Sequence, residues 1–436
     1  MTIFGARSLW RAGAACLAAA LVAGCGGSGS DDSGTASLRV VNASPGYGQL
    51  DFYVDDSIAL SSIASGTATS YISLSSGTAH STLFTRTGSA TTVQSQDRTL
   101  SADVAYTVVA YGWEGSLKTF HLSEDESAPD SGKAKLRTVN TAPDAGTLDV
   151  YVTGVTDSLT DVSPVNSSVA GNSLSAFSTL TQGTYRIRVT AAGSKTDVRL
   201  DIPSVTLDSQ EVASLIVTPT TGGVLVNALV LPQKGQLESY TNTYGRARLV
   251  AAVSGNAGVA AAAGSTTLSS GSRSPLVGNY TLVPTGLLPL TVSVNGTAVS
   301  AGNATVAPGA ELTLLVHGDP GAAQVTLLSD DNRLPSQVTG LSSQARVRLV
   351  HAVAGLASGV SLVADFSALA DDVAYGTASS YVSLSAGTLS QVDVTSPLQA
   401  SALFSATDVT LQSEGVYTLF MMGGASAPAG VLRKDR

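Results

Sequence analysis

The eight residues LRVVNASP at positions 38–45 return almost unchanged as LRTVNTAP at positions 136–143. Each copy continues into a second alternating apolar segment, LDFYV at 50–54 and LDVYV at 148–152. Weaker copies follow as RARLVAA at 246–252 and RVRLVHA at 346–352. The arginines that align are Arg39, Arg137, Arg248 and Arg348, at steps of 98, 111 and 100 residues. Self-similarity at this period predicts four repeats of about one hundred residues each.

The later part of each repeat supports the same division. A turn followed by a strand is indicated at 73–78, 179–184 and 383–388, and more weakly at 283–286. A buried strand is indicated at 106–112, 213–219, 311–318 and 417–423. In the first and third repeats this strand leads into another strand with an acidic end, at 117–126 and 324–333.

Each repeat contains about seven short segments with the pattern of β-strands. In the first repeat they lie near 38–42, 50–54, 69–74, 78–85, 91–100, 104–111 and 116–122. The segments are rich in Val, Thr, Tyr and Leu, alternate with period two, and are separated by Gly, Pro, Asn and Asp. Seven strands in about 100 residues suit a two-sheet sandwich better than a propeller blade. The predicted fold is all-β, with tandem Ig-like antiparallel β-sandwich domains after a lipoprotein signal peptide and a flexible tether.

The motifs quoted above, together with YISL at 71–74, YVSL at 381–384 and YTV or YTL in the buried strand, resemble the domain of unknown function 4397 family. Repeats one and two match the opening motif well. Repeat four has Val353-Ala354 where Ser-Pro is expected, and repeat three departs furthest and is interpreted as a degenerate copy. The resemblance implies an exported bacterial protein with tandem domains, and it implies no catalytic residue.

The N-terminal residues have the pattern of a lipoprotein signal peptide. Arg7 and Arg11 precede an apolar run at 14–22, which is shorter than the roughly 20 residues needed to span a bilayer. The sequence LVAGC at 21–25 resembles the lipobox of bacterial lipoproteins, so Cys25 is the predicted lipidation site. The polar stretch GGSGSDD at 26–32 predicts a flexible tether. An ordinary secretory signal is the alternative, and it would explain neither the cysteine nor the tether.

The lipobox predicts a protein held at the bacterial cell envelope by its N-terminal lipid. Gly26 follows the cysteine, where an aspartate would resemble an inner-membrane retention signal, so the outer membrane is favoured in a cell that has one. Residues 1–24 contain two arginines and no acidic residue, and without them the formal net charge changes from −9 to −11. An acidic surface repels phosphate backbones, so nucleic acid is not an expected partner.

Cysteine usage sets a condition on the size of the domains. The chain has two cysteines, Cys16 in the predicted signal peptide and Cys25 at the predicted lipid anchor. The exported domains therefore cannot rely on disulfide bonds, and each must bury a core large enough to be stable. The predicted organisation is a signal peptide at 1–24, a tether at 25–36, and sandwiches at 37–131, 132–240, 246–341 (degenerate) and 345–436.

The search for catalytic and metal-binding patterns is negative. His80, His121, His317 and His351 lie in different parts of their repeats without the spacing of a zinc site. No nucleophile elbow occurs, and the 5% aromatic content offers little for stacking sugars. The sequence therefore predicts no enzyme activity, cofactor or metal. Weak extracellular calcium binding stays open at three acidic pairs, although solvated turns are the default. These pairs are Asp55-Asp56, Asp330-Asp331 and Asp371-Asp372.

A recurring arginine and aspartate form the most specific polar pattern in the chain. Arg39 and Asp51, like Arg137 and Asp149, lie twelve residues apart on either side of a turn that contains proline. The proline of the turn is the midpoint of each pair. A hairpin about that proline would place the arginine and the aspartate opposite one another on adjacent antiparallel strands. A structural charge pair is therefore predicted, with a ligand-facing pair as the alternative.

These features favour a non-enzymatic, lipid-anchored envelope or cell-surface protein whose tandem sandwiches act as a spacer with a binding or adhesion role. The expected partners are the membrane, through the lipid anchor, and an envelope protein or a surface glycan. One alternative is an accessory scaffold subunit of an envelope assembly, which an exposed apolar patch would favour. A second alternative is a carbohydrate-active or hydrolytic protein, which convergent acids in an interdomain cleft would favour.

Overall fold

The computed structural model describes residues 34–436. The predicted signal peptide, the predicted lipidation site Cys25 and residues 26–33 of the predicted tether lie outside the described residues. The described chain is almost entirely β-structure, as the alternating sequence pattern predicts. Its strands form successive two-sheet units, called sandwich 1 (35–123), sandwich 2 (133–240), sandwich 3 (244–330) and sandwich 4 (344–434).

The strands and helices of the four sandwiches have the following bounds. Sandwich 1 contains β1 (Thr35–Asn42), β2 (Gln49–Val54), β3 (Ser57–Ala64), β4 (Thr67–Ala68), β5 (Ile72–Ser75), β6 (Ala79–Arg86), β7 (Thr92–Thr99), β8 (Ala105–Tyr111) and β9 (Lys118–Ser123). Sandwich 2 contains β10 (Lys133–Asn140), a 3-10 turn (Pro143–Ala145), β11 (Leu148–Thr153), β12 (Asn166–Val169), β13 (Ser173–Leu174), β14 (Ser178–Thr181), β15 (Gly183–Ala191), β16 (Val198–Leu207), β17 (Val212–Pro219), β18 (Val226–Pro232) and β19 (Glu238–Tyr240). Sandwich 3 contains β20 (Tyr244–Val253), β21 (Gly258–Ala263), β22 (Thr266–Arg273), β23 (Leu276–Val277), β24 (Thr281–Pro284), β25 (Gly286–Val294), β26 (Thr297–Val299), β27 (Asn303–Val306), β28 (Glu311–Gly318) and β29 (Gln324–Asp330). After α1 (Pro335–Thr339), sandwich 4 contains β30 (Gln344–His351), β31 (Val360–Ala364), β32 (Ser367–Val373), β33 (Thr377–Ala378), β34 (Val382–Ser385), β35 (Gly387–Thr395), β36 (Phe404–Leu411), β37 (Val416–Gly424) and β38 (Ala427–Lys434).

Each sandwich has an inner and an outer sheet with the same topology. In sandwich 1 the inner sheet has the order β4-β1-β8-β9, with β5 also paired to β1, and the outer sheet has the order β3-β2-β6-β7. The first strand runs parallel to the penultimate strand, with Arg39 opposite Thr107. This pair is parallel because the chain passes through the outer sheet between the two strands. The inner sheet is therefore mixed, with one parallel pair, whereas the outer sheet is antiparallel, as the predicted sandwich fold requires.

The sequence pattern misses one full strand of the first repeat, β3. Ser57–Ala64 pairs with β2 through two register shifts, and Ser62 has a φ of 54°. Such bulges interrupt the period-two alternation that identifies strands in a sequence. The other long strands of sandwich 1 lie within a few residues of their predicted positions.

The inner sheet is buried on both of its faces. All seven residues of β8 are buried. One face of the inner sheet joins the core of its own sandwich, where Leu38, Phe52 and Phe84 are at most 1% exposed. The other face packs against the inner sheet of the next sandwich. This double coverage explains why the penultimate strands are almost continuously apolar in the sequence.

The four sandwiches pack as two pairs through these inner sheets. One shared cluster joins sandwiches 1 and 2 and contains Val41, Val109, Tyr111, Val139, Ile216 and Leu229. A second shared cluster joins sandwiches 3 and 4 and contains Val250, Leu315, Val350, Phe420 and Met422. Nearly every residue in these clusters is fully buried, so pairing extends the hydrophobic core across the sandwich boundary.

The two pairs meet at a polar junction. The indole Nε1 of Trp113 in sandwich 1 donates to Asp144 Oδ2 in sandwich 2 at 2.6 Å. The backbone N–H of Leu334, which lies between sandwiches 3 and 4, donates to Asp144 Oδ1 at 2.8 Å. Arg436 Nη1 donates to the carbonyl of Gly223 at 2.6 Å. The junction therefore brings Arg436, the last described residue, against sandwich 2.

Candidate functional site

The recurring arginine is the centre of a repeated polar cluster on each inner sheet. Arg39 Nε donates to Thr107 Oγ1 at 2.9 Å and to Glu124 Oε1 at 3.0 Å. Its guanidinium carbon lies 4.9 Å from the ring centroid of Tyr71. We call this set of an arginine, a hydroxyl on the strand parallel to the first strand and an aromatic ring the arginine cluster. The corresponding sets are Arg137, Ser214 and Phe177; Arg248, Thr313 and Tyr280; and Arg348, Thr418 and Tyr381.

The arginine clusters of sandwiches 3 and 4 exchange ion pairs across their interface. Arg248 pairs with Asp435 of sandwich 4, and Arg348 pairs with Asp330 of sandwich 3. The side chains of all four residues are at most 3% exposed. Each aspartate also accepts a hydrogen bond, at 2.6 Å, from the threonine hydroxyl of its own sandwich. The arrangement satisfies buried charges reciprocally, which is the condition for such charges to be tolerated.

The arginine cluster of sandwich 1 also reaches its neighbour, but through backbone groups. Arg39 Nη2 donates to the carbonyl of Pro232 at 3.2 Å, and Nη1 donates to the carbonyl of Gly235. Glu124 Oε2 accepts from the backbone N–H of Lys234. Sandwich 1 is thus attached to the end of the last long strand of sandwich 2.

Sandwich 2 departs from the pattern because it has no carboxylate at the equivalent position. Gln233 stands where sandwich 1 has Glu124, since each donates its backbone N–H to the first residue of the strand that runs parallel to the first strand, β8 or β17. Arg137 Nε donates to Ser214 Oγ at 2.8 Å, and its guanidinium lies over Phe177. Burial lowers the pKa of Arg137, and the carboxylates of Glu126 and Glu124 partly oppose this effect. This arginine is therefore the least compensated of the four.

The predicted pairing of Arg39 with Asp51, and of Arg137 with Asp149, is wrong. Arg39 lies on β1 in the inner sheet and Asp51 on β2 in the outer sheet, and β10 and β11 are separated in the same way. The segment containing Pro45 carries the chain from one sheet to the other instead of closing a hairpin. The twelve-residue spacing is consistent with either connection, so it could not show which strands pair.

The two aspartates instead hold β-bulges in the outer sheets. Asp51 Oδ1 accepts from the backbone N–H of Ser62 and from Thr87 Oγ1, both at 2.7 Å. Asp149 accepts from the backbone N–H of Ser168 at 2.7 Å and of Gly193 at 2.8 Å. Ser62 and Ser168 have positive φ angles of 54° and 52°. The recurrence of the aspartate therefore has a local structural cause.

Sandwich 4 uses a serine for the same purpose. Ser361 Oγ accepts from the backbone N–H of Asp372 at 3.2 Å, and Asp372 has a φ of 49°. Val360, which lies twelve residues after Arg348, pairs with Val373 as Leu50 pairs with Ile63. The equivalent of Asp51 is thus displaced by one residue in sandwich 4, which obscures it in the sequence.

The histidines contact a carboxylate or an aromatic ring. His80 Nδ1 lies 2.7 Å from Asp55 Oδ2. His317 and His351 both contact the ring of Tyr375, at centroid distances of 4.8 and 5.5 Å. Burial lowers the pKa of both of these histidines. Within residues 34–436, no three His, Cys, Asp or Glu side chains come together as a metal site would require.

An interdomain cavity of about 390 Å³ lies at the junction and contains acidic side chains. Glu311 pairs with Arg246 at 2.6 Å and has no exposed surface, and burial raises its pKa. Burial alone would raise the pKa of Asp331 too, but hydrogen bonds from Arg333 and Arg346 hold it at about 2. These carboxylates are held in ion pairs, which fits a structural network better than two carboxylates free for hydrolysis.

Sequence reasoning missed the role of the carboxylates Glu124, Asp330 and Asp435, and of the aromatic rings, as partners of the arginines. Two of these carboxylates lie in the acidic ends that recur at 117–126 and 324–333. Tyr71 and Tyr381 begin the recurring YISL and YVSL motifs. Aligning the repeats about the arginine would therefore have found a shared cluster. It would not have shown that Asp330 and Asp435 pair with the arginine of the neighbouring sandwich.

Comparison with known proteins is consistent with the repeated architecture. The model of the family described as "Domain of unknown function (DUF4397)" matches residues 36–151 and 345–436. These two regions are therefore similar to DUF4397 domains. The resemblance drawn from the opening motifs is confirmed, and the second match covers sandwich 4, where the Ser-Pro of the motif is replaced. No curated protein matches the chain.

Three solved structures show distant likeness to this chain. A CBM26-family module from Eubacterium rectale Amy13K, in complex with maltoheptaose, is 11% identical over 47% of this chain and 96% of its own, with a TM-score of 0.16. The Bacillus anthracis TIE protein is 10% identical over 90% of this chain and 68% of its own, with a TM-score of 0.14. A candidate cell adhesion protein from Parabacteroides distasonis is 10% identical over 70% of this chain and 98% of its own, with a TM-score of 0.17. TM-scores of this size do not establish a shared function.

Proposed function

We propose that this protein is a non-enzymatic, lipid-anchored protein of the bacterial cell envelope whose sandwiches form a spacer with a binding or adhesion role. The observation that supports the proposal most directly is the pairing of sandwiches through buried inner sheets. Reciprocal ion pairs such as Arg348–Asp330 oppose sliding of one sandwich on the other. A tandem array fixed in this way suits the presentation of a binding surface at a set distance from a membrane.

The outer sheets and the loops that join their strands are the surfaces left for partners. The inner sheets are covered by the neighbouring sandwich. The outer strands β3, β7, β22 and β36, in contrast, have mostly exposed or half-buried residues. We expect an envelope protein or a surface glycan to bind these outer faces. The acidic charge of the whole chain argues against nucleic acid as that partner.

Lipid attachment at Cys25 is the proposed means of anchoring, with the outer membrane as the proposed location. The residues around Cys25 form the lipobox pattern, and a glycine- and serine-rich tether follows. Three acyl chains would contribute about 0.8 kcal/mol per buried methylene, enough for stable attachment. In the range 34–436, helices are too short or too polar to cross a bilayer.

A Cys25→Ser substitution should move the protein from the membrane fraction to the soluble fraction, because it removes the thiol that would carry the lipid. The measurement is fractionation of cells by ultracentrifugation followed by immunoblotting. Cys16→Ser is the matched control, since Cys16 lies inside the predicted signal peptide and its loss should leave the protein membrane-bound. Retention of the Cys25→Ser protein on salt-washed membranes would refute lipid anchoring at this residue.

An accessory scaffold role is the second candidate function, and one exposed aromatic residue favours it. Phe366 is 94% exposed at the tip of the β31–β32 hairpin and has a φ of 65°, which is costly for a bulky side chain. The corresponding position in sandwich 1 is Asp56. Phe366→Asp should leave the unfolding midpoint unchanged or raise it, while abolishing co-purification of a partner protein that crosslinks to wild type. Undiminished co-purification would remove Phe366 as the contact.

A further inference from the structure

Sandwich 2 contains a structural feature that the other three sandwiches lack. Its first outer-sheet connection, between β11 and β12, spans residues 154–165, whereas the equivalent turns are two residues long at 55–56, 264–265 and 365–366. This insertion accounts for most of the longer repeat step, 111 residues, that begins at Arg137. The inserted loop forms one wall of an open groove of about 540 Å³ on the outer sheet, which we call the basic groove.

Arg188 lies beneath the inserted loop and is held there by it. Its Nη2 donates to Thr153 Oγ1 at 2.6 Å and to the carbonyl of Asp157 at 2.7 Å. The residue is 7% exposed, and its Nε–H has no hydrogen-bond partner in the described chain. Burial and the neighbouring Arg186 cation lower the pKa of Arg188. The charges of Asp201 and Asp157 only partly oppose this lowering, so an anion in the groove would stabilise the buried guanidinium.

The other charged groups make the basic groove locally positive. Arg186 is paired with Asp201, whose Oδ1 lies 2.7 Å from Arg186 Nε. Lys195 is exposed, and its Nζ donates to the carbonyl of Thr160 at 2.7 Å, which leaves two of its N–H groups free. The lining thus has three cations and one carboxylate, in a chain whose formal charge is −9. Asp157 and Asp161 lie on the inserted loop, and the Asp157 carboxylate accepts from the N–H of Gly154 at 3.0 Å.

The shape and position of the basic groove favour an extended ligand that is bound by side chains on the face of the sheet. Arg186 and Arg188 alternate with core residue Ile187, so they project from the face of the sheet and not from its edge. The groove shares Val198 and Asp201 with a depression of about 160 Å³ that reaches Tyr244 at the start of sandwich 3. A peptide added as a strand would use backbone groups at a sheet edge instead.

We propose that the basic groove binds an acidic polysaccharide, with carboxylate or sulfate groups on Arg188 and Lys195 and sugar hydroxyls on the hydroxyl side chains of the lining. Guanidinium groups bind the oxygen atoms of such oxyanions with paired hydrogen bonds. Ser158, Thr160 and Thr196 supply the hydroxyl groups. The ligand class adds to the binding role proposed above and rests on it.

The test is equilibrium binding of the full-length protein, in detergent micelles, to defined polymers. The probes are alginate for carboxylates, dextran sulfate for sulfates, dextran for a neutral chain, and poly-glutamate for an acidic peptide. We expect binding to alginate or dextran sulfate, which identifies the oxyanion, and no binding to dextran or poly-glutamate. Lys195→Glu should weaken binding about tenfold or more, as expected for loss of a hydrogen bond to a charged group.

The matched control is Lys118→Glu, which makes the same charge change at an exposed lysine on sandwich 1. It should leave binding unchanged, whereas Arg188→Lys should weaken binding while preserving the charge. Equal losses in Lys195→Glu and Lys118→Glu, no binding to either acidic polysaccharide, or tighter binding to poly-glutamate would each overturn the proposal. The Cys25→Ser fractionation is independent of the groove. If that variant leaves the membrane fraction but the protein binds neither acidic polysaccharide, the ligand class is rejected and the lipid anchor is retained.

Discussion

The recurring arginine has the same position in every sandwich, but its charge is compensated in different ways. Arg248 and Arg348 have aspartates from the neighbouring sandwich, and Arg39 combines Glu124 with two backbone carbonyls. Arg137 has a serine hydroxyl and the face of Phe177. Arginine suits this position because its planar group can stack on a ring while it donates hydrogen bonds at its edge.

At the residue scale, Asp51→Ala should destabilise the protein by about 1–3 kcal/mol, because the N–H of Ser62 and the hydroxyl of Thr87 lose the carboxylate that accepts hydrogen bonds from both. Asp51→Asn should cost less, since an amide oxygen can still accept. Urea unfolding followed by circular dichroism measures both. Asp97→Ala, at an exposed position on β7, is the control and should change the stability little.

A double-mutant cycle separates this role from the ion pair that the sequence suggests. Arg39→Ala and Asp51→Ala should have additive effects on the free energy of unfolding, because the two residues lie in different sheets with separate partners. A coupling energy well above the error of the measurement would contradict the assignment of Asp51 to the bulge.

At the scale of the elements, the inner sheets pack against one another and join neighbouring sandwiches. The apolar shared clusters supply most of the burial, and the ion pairs lie among them without access to solvent. Removal of one partner of such a pair leaves an uncompensated buried charge, whereas replacement of both by apolar groups can be neutral. Energetics of this kind can be tested by comparing single and double substitutions.

Arg348→Met should therefore destabilise the protein by about 3 kcal/mol, because it removes the closer of the two cations beside the buried Asp330 and leaves only Arg248, at 3.8 Å. The double variant Arg348→Met with Asp330→Leu should recover much of that loss. Thermal and urea unfolding of the full chain give the comparison. Lys434→Met, at an exposed residue of β38, is the control for removal of a cation. A double variant as unstable as the sum of both single variants would show that the ion pair does not act as a unit.

At the scale of the whole molecule, the pair of sandwiches is expected to be the unit of stability. Residues 37–131 contain a complete core between two sheets, so the sequence predicts that they fold alone. The structure shows that Val41, Val109 and Tyr111 would then lose the cover of sandwich 2. Arg39 would also lose the carbonyls of Pro232 and Gly235.

A fragment of residues 34–240 should unfold cooperatively at a higher urea concentration than a fragment of residues 37–131. The reason is the apolar area buried between the inner sheets, which stabilises by about 25 cal/mol per Å². Reductant should affect neither fragment, since neither contains cysteine. Equal midpoints for the two fragments would show that sandwiches 1 and 2 are energetically independent.

The amino-acid sequence by itself determined the all-β class, the repeat and most strand positions, because local alternation and turn residues carry this information. It also indicated that Arg39 and Asp51 have a specific polar role, since both recur in the second repeat. The tertiary structure decided what they contact. A turn at Pro45 can close a hairpin or cross between sheets with the same local residues, and only packing of the completed sheets selects the crossing. For the same reason Asp330 could not be assigned to Arg348 in advance, because the pair forms across two separately folded sheets.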